Sequence, residues 1–73
     1  MTAKIAILTV SDRAAAGVYE DKGGPAIEAW LRRAIVSAID IRRQIVPDGR
    51  ESVAAAFRHW ADAEGADLIL ATG

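Results

Sequence analysis

The apolar residues of this chain mark three short segments that read as β-strands. In Lys4 to Val10 (KIAILTV) apolar side chains occupy both alternating faces, as in a strand of a parallel sheet that is covered on both sides. Ile41 to Val46 (IRRQIV) and Asp67 to Thr72 (DLILAT) are predicted as the second and third strands. The two arginines of the second segment favour a more exposed or edge position.

Between these segments, apolar residues recur at intervals of three and four, which predicts amphipathic helices. Pro25 stands where the first turn of the first helix tolerates proline. The second helix is predicted from about Arg50 to Glu64, with Gly65 as its stop. Ser11 to Gly24 is predicted as a long loop. The apolar stripes consist of Ile27, Trp30, Leu31, Ala34, Ile35 and Ala38 in the first helix and Val53, Phe57, Trp60 and Ala61 in the second.

The predicted order of elements is β-α-β-α-β. Short connections between alternating elements imply parallel strands with right-handed helical crossovers. We find no repeat, linker or low-complexity segment. The prediction is therefore an α/β fold, a parallel sheet with flanking helices, in which residues 1–73 form one domain or part of one. Trp30 and Trp60 are expected in the core or in a subunit interface.

Composition removes several classes of function. Nine basic side chains nearly cancel ten acidic ones, for a net charge of -1, so we expect no nucleic-acid or membrane partner. The chain has no cysteine, which excludes disulfides and thiolate metal sites and fits a reducing cytoplasm. No apolar run approaches the ~20 residues that span a bilayer, and the first ten residues do not resemble a signal peptide. A cytoplasmic location is expected.

Polar residues follow each predicted strand. Ser11-Asp12-Arg13 follows the first, Pro47-Asp48-Gly49 the second, and Thr72-Gly73 ends the third. Because the carboxyl ends of parallel strands lie at one edge of the sheet, where ligands bind in open α/β folds, we expect these groups to converge.

The converging residue types suit phosphate chemistry. Asp12 or Asp48 offers oxygen ligands to Mg²⁺, with phosphates completing the shell. Arg13 can pair with a phosphate through two hydrogen bonds. Ser11, Thr72 and the amides near Gly73 can donate to phosphate oxygens, yet no Walker or Rossmann glycine signature specifies such a site.

Structural interpretations compete with these roles. Asp48 and Glu51 have the spacing of a helix capping box, which we favour for Asp48 on spacing alone, although a cap and a metal ligand are compatible. Asp12 and Arg13 can form a surface ion pair, or Asp12 can close a turn. Ser11 has no histidine nearby in the sequence to activate it, and His59 falls on the polar side of its helix.

The segment ILTVSDRAAAGVYEDKGGPAIEAWL, from Ile7 to Leu31, resembles the start of the MogA/MoaB family of molybdenum cofactor biosynthesis proteins. The shared pattern is a strand, Ser-Asp-Arg, a small-residue stretch, and Asp21-Lys22-Gly23 before a proline-started helix. IVPDGRESV resembles the family's strand and Pro-Asp turn, and DLILATG resembles the strand before its Thr-Gly-Gly-Thr-Gly loop. The resemblance implies a three-layer α/β/α fold.

The resemblance also implies an activity. MogA-type members adenylylate molybdopterin with ATP and Mg²⁺ and release pyrophosphate. Asp48 matches the turn aspartate tied to adenylyl transfer and would be catalytic and metal-binding. Residues expected to bind substrate are Ser11, Asp12, Arg13, Thr72 and Gly73. Family members are commonly trimers or hexamers, so a homotrimer or homohexamer is expected.

The family's glycine loop continues beyond the position of Gly73. We therefore expect residues 1–73 to be the N-terminal part of a molybdopterin-binding domain and to lack adenylyltransferase activity alone. The alternative is a MoaB-like protein that binds or assembles molybdopterin without catalysis.

Overall fold

The structure is a computed structural model and describes residues 2–73. Its three strands are β1 (Ala3–Val10), β2 (Ile39–Val46) and β3 (Leu68–Thr72). They form one parallel sheet in the order β2-β1-β3. The predicted α/β class and parallel pairing are confirmed, and the arginine-bearing β2 does lie at an edge of this sheet.

The helices are α1 (Asp12–Ala15), α2 (Gly23–Ala34) and α3 (Arg50–Arg58), and α3 continues into a π-helical turn, His59–Ala63. The predicted loop after β1 therefore contains one unpredicted helical turn, α1. The second predicted helix is present as α3 and its π-helical extension. Gly65 follows it with φ 63°, a left-handed conformation that glycine adopts without steric cost.

Helices cover the sheet on both faces, so the fold has three layers. Because successive strand residues point to opposite faces, Ile7 and Leu8, both fully buried, belong to different cores. Ile5 and Ile7 pack with Leu31 of α2 on one face. Leu8 packs with Val46 and Ala56 on the face covered by α3.

Three predicted stripe positions, Trp30, Ala34 and Ala38, lie outside the core, and all three are exposed. Trp30 is 59% exposed, because it lies about 100° around the helix from Leu31, the residue that points at the sheet. Ala38 lies beyond the end of α2 at Ala34.

In the second helical segment the buried residue is Ala56, one position before the predicted Phe57. Ala56 is buried, whereas Phe57 is 37% exposed and Ala61 is exposed. Trp60 packs against the α3-side core, and its indole N–H donates to Gln44 Oε1 at 2.7 Å.

None of the helices within residues 2–73 combines the length and apolar character that a membrane crossing requires.

Candidate functional site

The carboxyl ends of all three strands lie at the same edge of the sheet. Val10 is paired with Val46, and Thr9 is paired with Thr72. The backbone N–H of Ser11 donates to the carbonyl of Val46 at 2.9 Å, which continues the pairing of β1 with β2 by one further bond. The topology thus brings the polar segments after the strands to one rim.

Ser11 begins the α1 turn. It is extended (φ -161°, ψ 122°), and its Oγ accepts a hydrogen bond from the backbone N–H of Ala14 at 3.2 Å. This is the geometry of a serine N-cap. The hydroxyl therefore has a structural role at the rim, and Ser11 also helps to line the neighbouring cavity.

Asp12 links the turns that follow β1 and β2. Its Oδ1 accepts a hydrogen bond from the backbone N–H of Asp48 at 2.9 Å. The alternative of an Asp12–Arg13 ion pair is wrong for the structure of residues 2–73, which contains no such pair. The reason is helical geometry, because adjacent residues of a helical turn point about 100° apart.

The predicted capping box at Asp48 is also wrong. The N-cap of α3 is Gly49, whose carbonyl accepts from the N–H of Val53 at 3.0 Å. Gly49 has φ 144° and ψ 140°, so the chain turns at this glycine and the helix begins one residue later than the spacing suggested. Within residues 2–73 no hydrogen bond or ion pair involves the carboxylate of Asp48, and Asp48 is exposed.

A small cavity of about 110 Å³ opens beside the ends of β1 and β3. Three of the predicted site residues, Ser11, Thr72 and Gly73, line it. Arg13 is exposed and lies outside the lining, as do Asp12 and Asp48. The predicted residues thus form two groups, the cavity residues Ser11, Thr72 and Gly73 and the hydrogen-bonded turns at Asp12 and Asp48, and Arg13 belongs to neither. The remaining lining residues are Thr9, Ala14, Tyr19, Asp21, Lys22 and Gly23.

Among these unpredicted lining residues, Asp21 has the most side-chain hydrogen bonds. Its two carboxylate oxygens each lie 3.0 Å from the hydroxyl of Thr9, and Oδ1 accepts from the backbone N–H of Gly24 at 3.1 Å. Thr9 is itself buried. A polar residue at a buried strand position, followed by Asp-x-x-Gly at a helix start, is a sequence signal that singles out Thr9 and Asp21 without showing that they touch.

The carboxylates suit Mg²⁺ only in company with other ligands. No group of three or more acidic or histidine side chains within residues 2–73 is arranged to hold a metal ion. Asp12 and Asp48 offer carboxylates on two turns that a hydrogen bond joins, and Mg²⁺ is commonly held by one or two carboxylates together with substrate phosphates. These ligands therefore suit a Mg²⁺ ion that substrate phosphates also coordinate, rather than one that protein groups hold alone.

Asp40, near the start of β2, differs from these carboxylates because it forms an ion pair with Arg42. Arg42 donates to Asp40 from Nε at 2.9 Å and from Nη2 at 3.2 Å. This hydrogen bonding lowers the pKa of Asp40 below its ordinary value of 3.8. Because Asp40 lies near the start of its strand, this pair is remote from the cavity.

Residues 6–73 match the family described as "Probable molybdopterin binding domain". The chain belongs to this family. A solved structure described as "anomalous substructure of MogA" is similar, with a TM-score of 0.77 and 41% identity, and the match covers 96% of this chain and 44% of that one. The predicted family and fold are thereby confirmed.

Curated relatives of the family match nearly the whole chain. The molybdopterin adenylyltransferase of Haemophilus influenzae is 40% identical over 70 residues, which cover 96% of this chain and 36% of the relative. The molybdopterin adenylyltransferase of Escherichia coli K12 is 35% identical over 72 residues, covering 99% of this chain and 37% of the relative. The chain therefore spans little more than a third of the length of these relatives.

Proposed function

We propose that this chain supplies the strand-end part of the active site of a molybdopterin adenylyltransferase. In this reaction an oxygen of the terminal phosphate of molybdopterin bonds to the α-phosphorus of ATP. The bond to the β-phosphate breaks, and pyrophosphate leaves. The observation that carries the proposal is the cavity at the carboxyl ends of β1 and β3, in a chain related over nearly its whole length to proteins of that name.

The chemistry of the cavity supports a phosphate-bearing ligand. Hydroxyls of Ser11 and Thr72 and the backbone around Gly73 can donate to phosphate oxygens. Its volume of about 110 Å³ is well below the ~300–1,000 Å³ of a complete small-molecule pocket. In the proposal the cavity takes one group of the substrate, and other surfaces hold the remainder.

Asp48 is the residue to which we assign the transfer step. Its carboxylate is exposed at the rim and is not used by α3, so it remains able to bind a cation that neutralises phosphate charge. Bound Mg²⁺ would supply that neutralisation during displacement at the α-phosphorus. Asp12 orients the turn by accepting from the N–H of Asp48.

Arg13 is assigned to a phosphate that lies outside the cavity. It is exposed on α1, immediately after Asp12 at the same rim. A guanidinium offers two parallel donors to one phosphate. Arg13 would therefore bind and orient a substrate phosphate group.

A binding or assembly role without catalysis is the second candidate. The observation that favours it is the match of residues 6–73 to a family described by molybdopterin binding rather than by catalysis. In this form the same rim holds molybdopterin, and Asp48 has no catalytic task. A homotrimer or homohexamer and a cytoplasmic location belong to either candidate as predictions, and sedimentation tests the former.

The decisive experiment measures binding and turnover separately. The gene product that contains this chain is titrated with molybdopterin and with ATP by calorimetry and is assayed for pyrophosphate release, with and without chelation of Mg²⁺. We expect Asp48→Ala to abolish turnover while molybdopterin binding persists. Asp62→Ala, on the exposed π-helical turn, is the matched control and should retain both.

Three results would each decide one part of the proposal. Binding without turnover in the unaltered protein would support the assembly role. Turnover by Asp48→Ala at the rate of the unaltered protein would remove Asp48 from the mechanism. A 73-residue chain with full turnover would contradict the prediction that residues 1–73 are inactive alone.

A further inference from the structure

Asp21 connects the end of β1 to the start of α2. Both of its carboxylate oxygens lie within hydrogen-bonding distance of the Thr9 hydroxyl on β1, and Oδ1 also accepts from the backbone N–H of Gly24. Thr9 is 7% exposed, so its hydroxyl has little access to water and depends on this partner. One side chain thus satisfies a buried hydroxyl and an N–H of the first helical turn.

This contact replaces the side-chain cap that α2 otherwise lacks. The N-cap residue is Lys22, which is already in a helical conformation and provides no side-chain cap bond. Asp21, one residue earlier, accepts from the N–H three residues ahead of it, which is the spacing of an aspartate cap. Because Asp21 also accepts from Thr9, the start of α2 is held to the sheet as well as capped.

Two glycines show how closely the start of α2 approaches the strand ends. A Cβ at Gly24 would lie 2.7 Å from Asp21 Oδ2 and 3.1 Å from Thr9 Oγ1. A Cβ at Gly23 would lie 3.2 Å from Thr72 Cγ2 on β3. The first turn of α2 therefore packs against the ends of β1 and β3, and of these residues Thr9, Asp21, Gly23 and Thr72 also line the cavity.

We propose that Asp21 is a positioning residue of the substrate site, which acts through Thr9 and Gly24 to hold Gly23 beside Thr72 and so sets the width of the cavity. This inference rests on the proposed function. Asp21 does not contact the reacting phosphorus in this account. Its carboxylate is engaged with protein donors, and its effect reaches the substrate through the position of the helix.

Two substitutions of Asp21 separate geometry from charge. Asp21→Asn keeps an oxygen that accepts from the Gly24 N–H and an amide group that can donate to Thr9 Oγ1. Asp21→Ala removes both contacts and leaves the buried Thr9 hydroxyl unpaired. A positioning role predicts that asparagine rescues function, whereas a metal ligand or proton donor at this position would fail with asparagine as with alanine.

The test measures ligand affinity and kinetics in the gene product that contains this chain. With molybdopterin as the probe, and ATP in a parallel titration, we expect Asp21→Ala to weaken binding of the ligand that enters the cavity by about tenfold. We expect Asp21→Asn to stay within about threefold of the unaltered protein, since it retains most of the hydrogen bonding. KM should rise in Asp21→Ala more than kcat falls, and Asp62→Asn serves as the charge-matched control.

Thr9 provides an independent check through the other end of the contact. Thr9→Val removes the hydroxyl at nearly constant volume, while Thr9→Ser keeps it. If Asp21 acts through Thr9, the double variant will lose less binding free energy than the sum of the losses in Thr9→Val and Asp21→Ala. Strictly additive losses would contradict that route.

The outcomes distinguish this inference from the proposed function. If the unaltered protein binds both ligands and Asp21→Ala binds them equally well, the positioning role is wrong and the proposed function stands. The positioning role is likewise wrong if Asp21→Ala lowers only the melting temperature, or if Asp21→Asn is as impaired as Asp21→Ala. If the unaltered protein binds neither molybdopterin nor ATP, the proposed function fails and this inference falls with it.

Discussion

The starts of α2 and α3 use an aspartate at the same position in opposite ways. Each helix has an aspartate one residue before its N-cap, Asp21 before Lys22 and Asp48 before Gly49. The carboxylate of Asp21 accepts hydrogen bonds from β1 and from the first turn of α2. At Asp48 it is the backbone N–H that bonds, to Asp12, and the carboxylate has no partner within residues 2–73.

The N-cap residues account for this difference. Gly49 turns the chain with φ 144°, and the N–H groups at the start of exposed α3 can be solvated by water. Lys22 is helical, and the N–H of Gly24 lies in a buried residue, so it needs a protein acceptor. One carboxylate is thus committed to the fold, whereas the other remains open to ligands at the rim.

The largest stability effect is expected for Gly24→Ala. Alanine in a helix normally gains about 0.5–1 kcal/mol over glycine. Here the added Cβ would lie 2.7 Å from Asp21 Oδ2 and 3.1 Å from Thr9 Oγ1, two atoms that are hydrogen-bonded to each other. Relieving the contact therefore displaces this bonded pair, and such overpacking typically costs about 1–3 kcal/mol. We expect the clash to dominate and the free energy of unfolding to fall by about 2 kcal/mol, measured by urea denaturation.

Two controls isolate the clash from helix propensity. Ala29→Gly, at an exposed position of α2, reports the intrinsic difference between the two residues in this helix. Gly23→Ala places its Cβ at a less severe 3.2 Å from a threonine methyl and should cost less than Gly24→Ala. A Gly24→Ala protein as stable as the unaltered one would show that the start of α2 is not held against Asp21.

The next largest effect is the difference in stability expected between Asp21→Ala and Asp48→Ala. Asp21→Ala removes a cap worth about 1 kcal/mol and leaves the buried Thr9 hydroxyl unsatisfied, so a loss of about 1.5 kcal/mol is expected. Asp48→Ala should stay within about 0.5 kcal/mol because its carboxylate supports no contact in the fold. Thermal unfolding of both variants makes the comparison, and equal losses would contradict the assignment of one aspartate to structure and the other to ligands.

Sequence patterns were sufficient for the architecture because apolar periodicity directly reflects burial. The run around Ile7 and Leu8 is apolar on both faces, and the structure buries these residues in two cores. The meeting of the strand ends also followed from topology alone, since the carboxyl ends of parallel strands lie at one edge of the sheet.

Residue spacing was insufficient where backbone conformation decides which residue is the cap. Asp48 and Glu51 have capping-box spacing, yet the turn at Gly49 displaces the helix start by one residue. The Thr9–Asp21 contact joins residues twelve apart in sequence, and only the packing of α2 against β1 brings them together. The tertiary contacts at this site were therefore the part that local patterns could not supply.

Asp12→Ala is expected to have a smaller effect that depends on the Asp48 turn. It removes the acceptor for the Asp48 N–H, a bond at the surface that is worth about 0.5–1 kcal/mol. Asp12→Asn retains an acceptor oxygen and should recover most of that stability. Faster amide exchange at Asp48 in Asp12→Ala, but not in Asp12→Asn, would confirm that Asp12 orders this turn, and unchanged exchange in both would contradict it.

The smallest effect is expected at Asp40, where an exposed ion pair contrasts with the contacts of Asp21. Because Arg42 lowers the pKa of folded Asp40 below 3.8, the pair stabilises the fold above that pH and loses its contribution as pH falls through the lowered pKa. The stability difference between the unaltered protein and Asp40→Asn should therefore shrink on acidification below about pH 4 and also in about 1 M salt. The loss in Asp21→Ala should persist in that salt, because it arises from a buried hydroxyl and a helix cap. An equally salt-sensitive loss at Asp21 would mean that its charge, rather than its position, holds the start of α2.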